Sequence, residues 1–298
     1  MTQLELMIRS NEALPLSPSV RVACQGVAGA FSHAACRSLF AEPEACFFPS
    51  FEEVFEAVSS ENCRYGVVPI ENTLAGSVTD NYDLMLRYQL SIVGTVALKI
   101  EHSLLALPHV KLSDLKEVYS HEQALHQCSD FLKANPNLSL HPYSNTAASA
   151  KFVAQTQNPA LAAIGSEESA ERYGLSVLKK AIQNRDDNFT RFVVLSRNPI
   201  SHPGCNRISM VVRLRHQAGA LYRALSCFAS QNINLLKLES RPIPEHPFEF
   251  LFYWDFSGNL SSPKVRLALD MLQNEIEYQK LLGNYPDFQQ PSLSAPIL

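Results

Sequence analysis

The chain has 298 residues, enough for about two domains, and its 46% apolar and 18% charged content permits a sizeable core and excludes global disorder. The net charge of -4 argues against nucleic acid or an anionic membrane as the main partner, because both favour basic surfaces. No apolar run approaches the roughly 18–20 residues of a membrane span. We therefore predict a cytoplasmic protein that binds neither nucleic acid nor a membrane.

The two ends of the chain and the distribution of metal-binding residue types also set expectations. Residues 1–19 carry acids and no long apolar core, so we expect a flexible lead rather than a secretory signal. We expect residues 287–298 to form a flexible tail. The 7 cysteines include no Cys-x-x-Cys pair and the 9 histidines no His-x-x-x-His pair. We expect no disulfide framework, no metal site and no cofactor.

Strand and helix patterns alternate over residues 20–195, which predicts an α/β domain with a mostly parallel sheet. The first strand, residues 20–24, leads through a glycine turn at residues 26–30 into a helix. A strand, a glycine turn and a helix N-terminus together offer free backbone N–H groups to an anion, here beside Ser32. The same residues also fit an ordinary tight turn between a strand and a helix.

A second polar cluster follows the apolar strand at residues 65–70. Glu71, Asn72 and Thr73 stand at the carboxyl end of that strand, where α/β sheets place ligands. A turn in which Asn72 bonds its own backbone is the alternative interpretation.

Two further helix starts carry polar residues. Ser120 followed by Gln123 has the spacing of a capping box, and Gln127 lies about two helical turns beyond Ser120 on the same face. A capped helix with an exposed Gln127 explains the same pattern. Thr146 begins an alanine-rich helix whose N-terminus offers a second anion-binding position.

The last strand of this region begins with a hydroxyl, a cation and an aromatic ring in consecutive positions. Alternation along the strand predicts that Thr190 and Phe192 point to one face and Arg191 to the other. A strand preceded by a solvated turn, with Arg191 paired to a surface acid, is the other interpretation.

The pattern changes after a segment rich in proline, glycine and serine near residue 200, which we interpret as a linker. The following elements read strand, helix, strand, strand, helix and strand, the order of the ferredoxin-like plan. The second helix starts at Ser262 and Pro263 and keeps helical spacing to Ile276, and Gly283 is expected to end it before a short last strand.

Five motifs in this order resemble the prephenate dehydratase family with an appended ACT regulatory domain. They are residues 26–32 (GVAGAFS), 69–73 (PIENT), 119–123 (YSHEQ), 188–192 (NFTRF) and 239–242 (ESRP). The resemblance covers residues 20–286. Glu122 stands where the family often has proline and Thr73 where it often has serine, which leaves the fine substrate preference open.

The resemblance implies a division of the chain into domains. Residues 20–198 would form a bilobal catalytic domain like a type II periplasmic-binding protein, with a second lobe at about residues 101–180 and the site between the lobes. Residues 199–206 would be the linker and residues 207–286 the ACT domain. Because only about 19 residues precede the first strand, we expect no chorismate mutase domain of the kind that some relatives carry.

The resemblance also implies roles for particular residues in the loss of carbon dioxide and water from prephenate. The catalytic set is Thr190, Asn72, Ser120 and Gln127. The substrate-binding set is Ser32, Thr73, Thr146, Arg191, Phe192 and Glu71. An effector site for L-phenylalanine would use Gly219, Ala220, Leu221, Asn232, Glu239, Ser240 and Arg241.

Effector sites in ACT domains usually lie between two chains, so we expect a homodimer or homotetramer formed through these domains. Two alternatives stay open at this point. Arogenate dehydratase performs the same chemistry on the aminated substrate and shares all five motifs. A non-catalytic amino-acid-sensing protein is the alternative from another class, although it would not need Thr190, Arg191 and Phe192 in this register.

Overall fold

The structure is a computed structural model that describes residues 20–200, 202–243 and 246–288. The expected N-terminal lead and nearly all of the expected tail lie outside the described residues. The chain forms an α/β fold with mixed sheets. Within the described ranges, no helix is both long and apolar enough to cross a membrane.

The elements are numbered in chain order. The strands are β1 (Arg21–Gln25), β2 (Glu44–Phe48), β3 (Tyr65–Asn72), β4 (Gly76–Ser77), β5 (Ser91–Lys99), β6 (Ser103–Ala106), β7 (Glu117–Ser120), β8 (Ser139–Pro142), β9 (Leu161–Gly165), β10 (Ser176–Lys179), β11 (Phe189–Ser196), β12 (Arg207–Leu214), β13 (Leu235–Ile243), β14 (His246–Ser257), β15 (Ile276–Tyr285) and β16 (Asp287–Phe288). The α-helices are α1 (Phe31–Leu39), α2 (Phe51–Ser59), α3 (Thr79–Arg87), α4 (Glu122–Gln127), α5 (Ser129–Lys133), α6 (Thr146–Thr156), α7 (Glu167–Tyr173), α8 (Ala220–Ala229) and α9 (Pro263–Leu272).

The described chain falls into two compact units. The first unit runs to Leu84 and then from Val96 to Phe192. The second unit combines Met85–Thr95 with the chain from Val193 onward. Strands β5 and β11 each contribute residues to both units.

Two sheets include strands of the first unit. One has the order β16-β5-β11-β3-β1-β2, with β4 paired to β3, and β1 runs parallel to both β2 and β3. The other has the order β10-β6-β9-β7-β8, in which β7 is parallel to β8 and β9 while β6 is antiparallel to β9 and β10. Both sheets contain the expected parallel pairs, and the antiparallel pairs of β6 with β9 and β10 and of β3 with β4 make them mixed. A strand covered on both faces is a continuous apolar run whichever way it points, so the pattern carried no direction.

The second unit contains a four-stranded antiparallel sheet with the order β13-β14-β12-β15. Its elements follow one another as strand, helix, strand, strand, helix and strand, so the predicted order is confirmed. Both helices contribute to one core with the sheet, in which the ring of Phe228 meets that of Trp254 edge-on at 5.5 Å.

The last helix and strand differ from the prediction. Helix α9 ends at Leu272, and Ile276 begins β15 instead of continuing the helix. Gly283 lies inside this strand rather than ending a helix, and a Cβ there would overlap the carbonyl oxygen of Ile92. Ile276 and Leu272 pack in the same core cluster. The apolar spacing therefore continues across the turn after Leu272, although the helix itself ends there.

Candidate functional site

A cavity of about 330 Å³ lies within the first unit, where strand ends and helix starts meet. Strand β3 supplies Asn72 from its carboxyl end, where α/β sheets place ligands, and β11 supplies Thr190 and Phe192 from its amino end. Helices α1, α4 and α6 supply further lining residues. Six of the predicted catalytic and substrate-binding residues line it, namely Ser32, Asn72, Gln127, Thr146, Thr190 and Phe192.

Two helix N-termini open onto this cavity. Helix α1 has Ala30 at its N-cap with no side-chain hydrogen bond, so its first N–H groups have no capping side chain. Helix α6 is capped by Asn145, whose Oδ1 accepts from the N–H of Ala148 at 2.7 Å. The positive ends of both helix dipoles and the N–H groups beside Ser32 and Thr146 favour a bound anion.

The glycine turn before α1 is held by helix α7. The carbonyl of Gly29 accepts a hydrogen bond from the Ser169 hydroxyl at 2.9 Å, and the carbonyl of Ala28 accepts one from the Tyr173 hydroxyl at 2.6 Å. Gly29 has a φ of 89°, and a Cβ there would stand 3.1 Å from the oxygen of Ser169. This glycine therefore permits both the turn and the close approach of α7.

An amide network connects the cavity-lining residues. The two Nδ2 hydrogens of Asn72 are shared among three acceptors, Asn188 Oδ1 at 2.7 Å, Thr190 Oγ1 at 2.9 Å and the carbonyl oxygen of Phe189 at 3.1 Å. Asn188 donates from Nδ2 to Gln127 Oε1 at 3.2 Å, and the same oxygen lies 2.9 Å from His102 Nε2. Three of the predicted catalytic residues, Asn72, Gln127 and Thr190, thus belong to one hydrogen-bonded network.

Ser120, the fourth predicted catalytic residue, occupies a different position. It is the last residue of β7, is completely buried, and donates its hydroxyl to the carbonyl of Ile164 at 2.7 Å. It does not cap the following helix as predicted. His121 is the N-cap of α4, and its Nδ1 accepts from the N–H of Gln123.

Three predicted substrate-binding residues line a second cavity of about 260 Å³ within the same unit. Arg191 pairs with Glu71 through Nη2 at 3.0 Å, and each side chain is about a quarter exposed. Thr73 donates its hydroxyl to the carbonyl of Asp187 and accepts from the N–H of Phe189. Arg191 therefore faces away from the cavity that Thr190 and Phe192 line, and the predicted alternation along β11 is confirmed.

Sequence reasoning missed two residues of the network, His102 and Asn188. They are 2% and 1% exposed. Burial lowers the pKa of His102, and its hydrogen bond with Gln127 opposes that shift. Asn188 is the first residue of the NFTRF motif, but nothing in the sequence marked it as part of the site. His102 immediately precedes β6 and Asn188 immediately precedes β11, and a polar residue directly before an apolar strand was the available signal.

Comparisons with known proteins identify the family. The family model described as prephenate dehydratase matches residues 22–200. The chain belongs to the prephenate dehydratase family. It is therefore an enzyme, a carbon–oxygen lyase of that family.

Two relatives from this family show how far the similarity extends. "Arogenate dehydratase/prephenate dehydratase 2, chloroplastic" of Arabidopsis thaliana is 41% identical over 288 residues, covering 93% of this chain and 75% of the relative. "Bifunctional chorismate mutase/prephenate dehydratase" of Escherichia coli (strain K12) is 40% identical over 274 residues, covering 90% of this chain and 71% of the relative. The similarity thus spans both compact units.

Two solved structures share the fold at a TM-score of 0.83 each. Prephenate dehydratase from Arthrobacter aurescens in complex with L-Phe is 31% identical and covers 93% of this chain and 94% of its own. GqqA, described as a novel type of quorum quenching acylase, is 30% identical, and the match covers 90% of this chain and 98% of GqqA.

The effector residues predicted from the family resemblance lie in the second unit. Ala220 and Leu221 line a cavity of about 200 Å³ there, and Gly219 caps α8 with a φ of 78°. Asn232 follows α8 with a φ of 53°. Glu239, Ser240 and Arg241 lie on β13, the edge strand of the sheet. The lining of that cavity includes Ala220 and Leu221 but none of the other five predicted residues.

Proposed function

We propose that the chain converts prephenate and one proton into phenylpyruvate, carbon dioxide and water, in L-phenylalanine biosynthesis. The observation that carries this proposal is the placement of the Thr190 hydroxyl, which accepts a hydrogen bond from Asn72 in a cavity bordered by two helix N-termini. An anionic substrate with a hydroxyl leaving group fits this arrangement of donors.

The helix ends supply the anion binding. Prephenate carries two carboxylates, and the N–H groups beside Ser32 and Thr146 are the candidates to hold them. The cavity lining contains no lysine or arginine among the residues that the structure describes. A full cation on the departing carboxylate would oppose decarboxylation, because charge must move from that carboxylate into the ring. Backbone dipoles hold the substrate with less resistance to that movement.

Thr190 acts on the leaving hydroxyl. A threonine hydroxyl is too weak an acid to deliver a proton efficiently near neutral pH. Because its oxygen accepts from Asn72, its own hydrogen is available to bond the leaving oxygen and orient it. The proton itself arrives through water. Phe192 lines the same cavity beside the substrate ring.

The remaining predicted residues have supporting roles in this proposal. Arg191 and Glu71 form their ion pair on the other face of β11, and Thr73 ties the loop after β3 to the start of β11. Ser120 supports the site from β7 through its bond to Ile164.

The domain organisation is proposed as the family resemblance implies it. Residues 20–198 form a bilobal catalytic domain of the type II periplasmic-binding-protein kind, and residues 199–206 link it to an ACT domain at residues 207–286. The strand and helix order of the second unit and its antiparallel strand order support the ferredoxin-like part of this proposal.

L-phenylalanine is proposed as a feedback effector of the ACT domain. The Arthrobacter aurescens structure was determined in complex with L-Phe. The predicted effector residues of β13 lie on an edge strand that also exposes Leu236 and Leu238. An edge strand with exposed apolar side chains suits pairing with a second copy, so we propose a homodimer or homotetramer in the cytoplasm.

Arogenate is the second candidate substrate. The Arabidopsis thaliana relative at 41% identity is named for both activities. Arogenate has an amino group on the side chain where prephenate has a keto group, so the two substrates present the same ring hydroxyl to Thr190.

The test is turnover of the purified protein with prephenate and with arogenate, run side by side. Phenylpyruvate from prephenate, with little phenylalanine from arogenate, is the expected result. The opposite preference would make arogenate the substrate. A folded protein that turns over neither would refute the dehydratase proposal and leave the sensing protein as the better description.

A further inference from the structure

We propose that His102 and Asn188 are positioning residues, which turn the amide group of Gln127 so that its NH2 donates into the cavity. This inference rests on the proposed dehydratase function. It deepens that function by assigning two residues that act on the substrate through a third residue.

The orientation of the amide network is set at Asn72, because backbone groups fix which atom of its side-chain amide is the oxygen and which the nitrogen. Its Oδ1 accepts from the N–H groups of Leu74 at 3.0 Å and Ala75 at 2.9 Å, and an N–H group can only donate. Its Nδ2 donates to the carbonyl of Phe189 at 3.1 Å, and a carbonyl can only accept. The oxygen and the nitrogen of the Asn72 amide are therefore assigned by three main-chain contacts.

Asn188 passes this orientation to Gln127. Because the Asn72 Nδ2 donates to it at 2.7 Å, the Asn188 atom in that contact is the acceptor Oδ1. Its Nδ2 then faces Gln127 at 3.2 Å, so the Gln127 atom there is Oε1. Asn188 is 1% exposed, which leaves it no room to turn the other way without an unsatisfied buried amide.

His102 completes the arrangement. Its Nε2 lies 2.9 Å from Gln127 Oε1, an acceptor, so the neutral ring carries its hydrogen on Nε2. Its backbone N–H donates to Gln183 Oε1 at 2.9 Å, and its ring meets Phe31 edge-on, which holds the ring in place. The Nδ1 atom is buried with no hydrogen-bond partner among the described residues, as suits an uncharged ring.

The pKa of His102 is shifted by burial and by one hydrogen bond to a neutral amide. Burial lowers its pKa, and the hydrogen bond with Gln127 is the opposing influence. His121 is the other titratable residue in the described cavity lining, and the neighbouring Glu101 pairs with Lys99 at 2.8 Å. His102 therefore stays neutral near neutral pH.

The chemical consequence concerns the free end of Gln127. With both lone pairs of Oε1 used by Asn188 and His102, only the NH2 group is left for the cavity. A reversed amide would present an oxygen to an anionic substrate and repel it. The network thus makes both Gln127 and Thr190 donors toward the substrate.

The test compares substitutions that keep or remove the donor. His102→Leu should lower kcat by about 10- to 100-fold with a much smaller change in KM, because it releases the Gln127 amide. His102→Gln, which restores an N–H donor, should recover at least half of that loss on a logarithmic scale. His126→Leu, at an exposed position next to Gln127, is the control and should behave as wild type.

A double-mutant cycle separates positioning from a structural role. In a Gln127→Ala background, His102→Leu should lower kcat by less than about a further threefold, because the amide that His102 orients is already absent. An additive loss would overturn the proposal, as would wild-type kcat in the His102→Leu single variant.

A measurement on the unsubstituted protein covers the case in which His102→Leu does not fold. Nitrogen-15 NMR of histidine-labelled protein should show one ring locked as the Nε2–H form near neutral pH, assigned by its absence in His102→Gln. A ring that is charged or protonated on Nδ1 would overturn the proposal. Because this readout needs no turnover, it tests the network even if neither substrate reacts, which would refute the proposed function alone.

Discussion

Single residues in the cavity work mainly through neutral hydrogen-bond donors. Asn72, Asn188 and Gln127 form a row of amides, and the Thr190 hydroxyl ends it. Each amide in this row has a partner, and for the buried Asn188 this avoids the cost of about 1–3 kcal/mol for an unsatisfied buried polar group. The Thr190 hydroxyl is thereby held by a neutral amide, and the described cavity lining contains no lysine, arginine, aspartate or glutamate.

The depressed pKa of His102 leads to a prediction about stability and pH. Burial lowers its pKa below the usual 6.5, so below pH 6.5 the unfolded chain takes up a proton that the folded chain does not. Acidification below that pH should therefore destabilise the fold. The unfolding temperature should fall less steeply between about pH 7.5 and 5 in His102→Gln than in wild type.

Thermal unfolding of both proteins across that range is the measurement. His33 also has a pKa lowered by burial, so part of the slope should persist in the variant. Identical slopes in the two proteins would show that His102 has an ordinary pKa in the folded state.

The sequence predicted those site residues whose position along a strand is a local signal. Asn72 and Thr190 stand at strand ends, and alternation along β11 separated Thr190 from Arg191 correctly. His102 was missed because its partner Gln127 is 25 positions away, and no local pattern encodes that contact. The Ser120 hydroxyl was assigned to a helix cap because the capping pattern is local, whereas its acceptor, Ile164, is on β9.

At the scale of elements, β12 carries two arginines in contrasting surroundings. Arg207 is buried and pairs with Asp255 on β14 and with Asp287 on β16. Arg213, near the other end of the strand, pairs with Glu277 at 3.1 Å, and the two side chains are 31% and 43% exposed. The same residue type on one strand therefore tests how burial changes the value of an ion pair.

Arg207→Leu should destabilise the second unit by about 3–5 kcal/mol, because it leaves two carboxylates that are only 18% and 19% exposed without their cation. Arg213→Leu, the matched control, should cost less than about 1 kcal/mol, because water already screens that pair. Urea unfolding followed by the fluorescence of the single tryptophan, Trp254, reports on this unit. Equal losses in the two variants would contradict the assignment of a buried network.

Element boundaries show where local patterns fail. Helix α7 runs over Glu167–Tyr173, with Ser166 as its cap and Gly174 at its end. The strand β2 and the short helix α5 were not predicted, because each has only 5 residues and no clear periodicity. The direction of β6 was not predictable either, since it depends on pairing with β9, more than 50 residues away.

At the scale of the whole molecule, the account predicts regulation by L-phenylalanine. Addition of L-phenylalanine should raise the unfolding temperature and lower turnover, because a ligand that prefers one conformation shifts the population toward it. D-phenylalanine is the control and should do neither at the same concentration. Unchanged stability and turnover with the L-enantiomer would end the effector proposal.

The assembly state can be measured in the same samples. Light scattering after size-exclusion chromatography should give a mass of two or four chains of 33.2 kDa. A monomer that still responds to L-phenylalanine would mean that the effector site is complete within one chain.

We propose that the Thr190 hydroxyl assists departure of the substrate's hydroxyl, and steady-state kinetics of Thr190→Ala on prephenate are the measurement that decides this role. We predict that kcat falls by about 100-fold or more while KM changes by less than about fivefold, because the lost bond strengthens only as the oxygen leaves. Thr190→Ser, which keeps the hydroxyl, should retain most of the activity. A Thr190→Ala protein with wild-type kcat, or one in which only KM rises, would contradict the account.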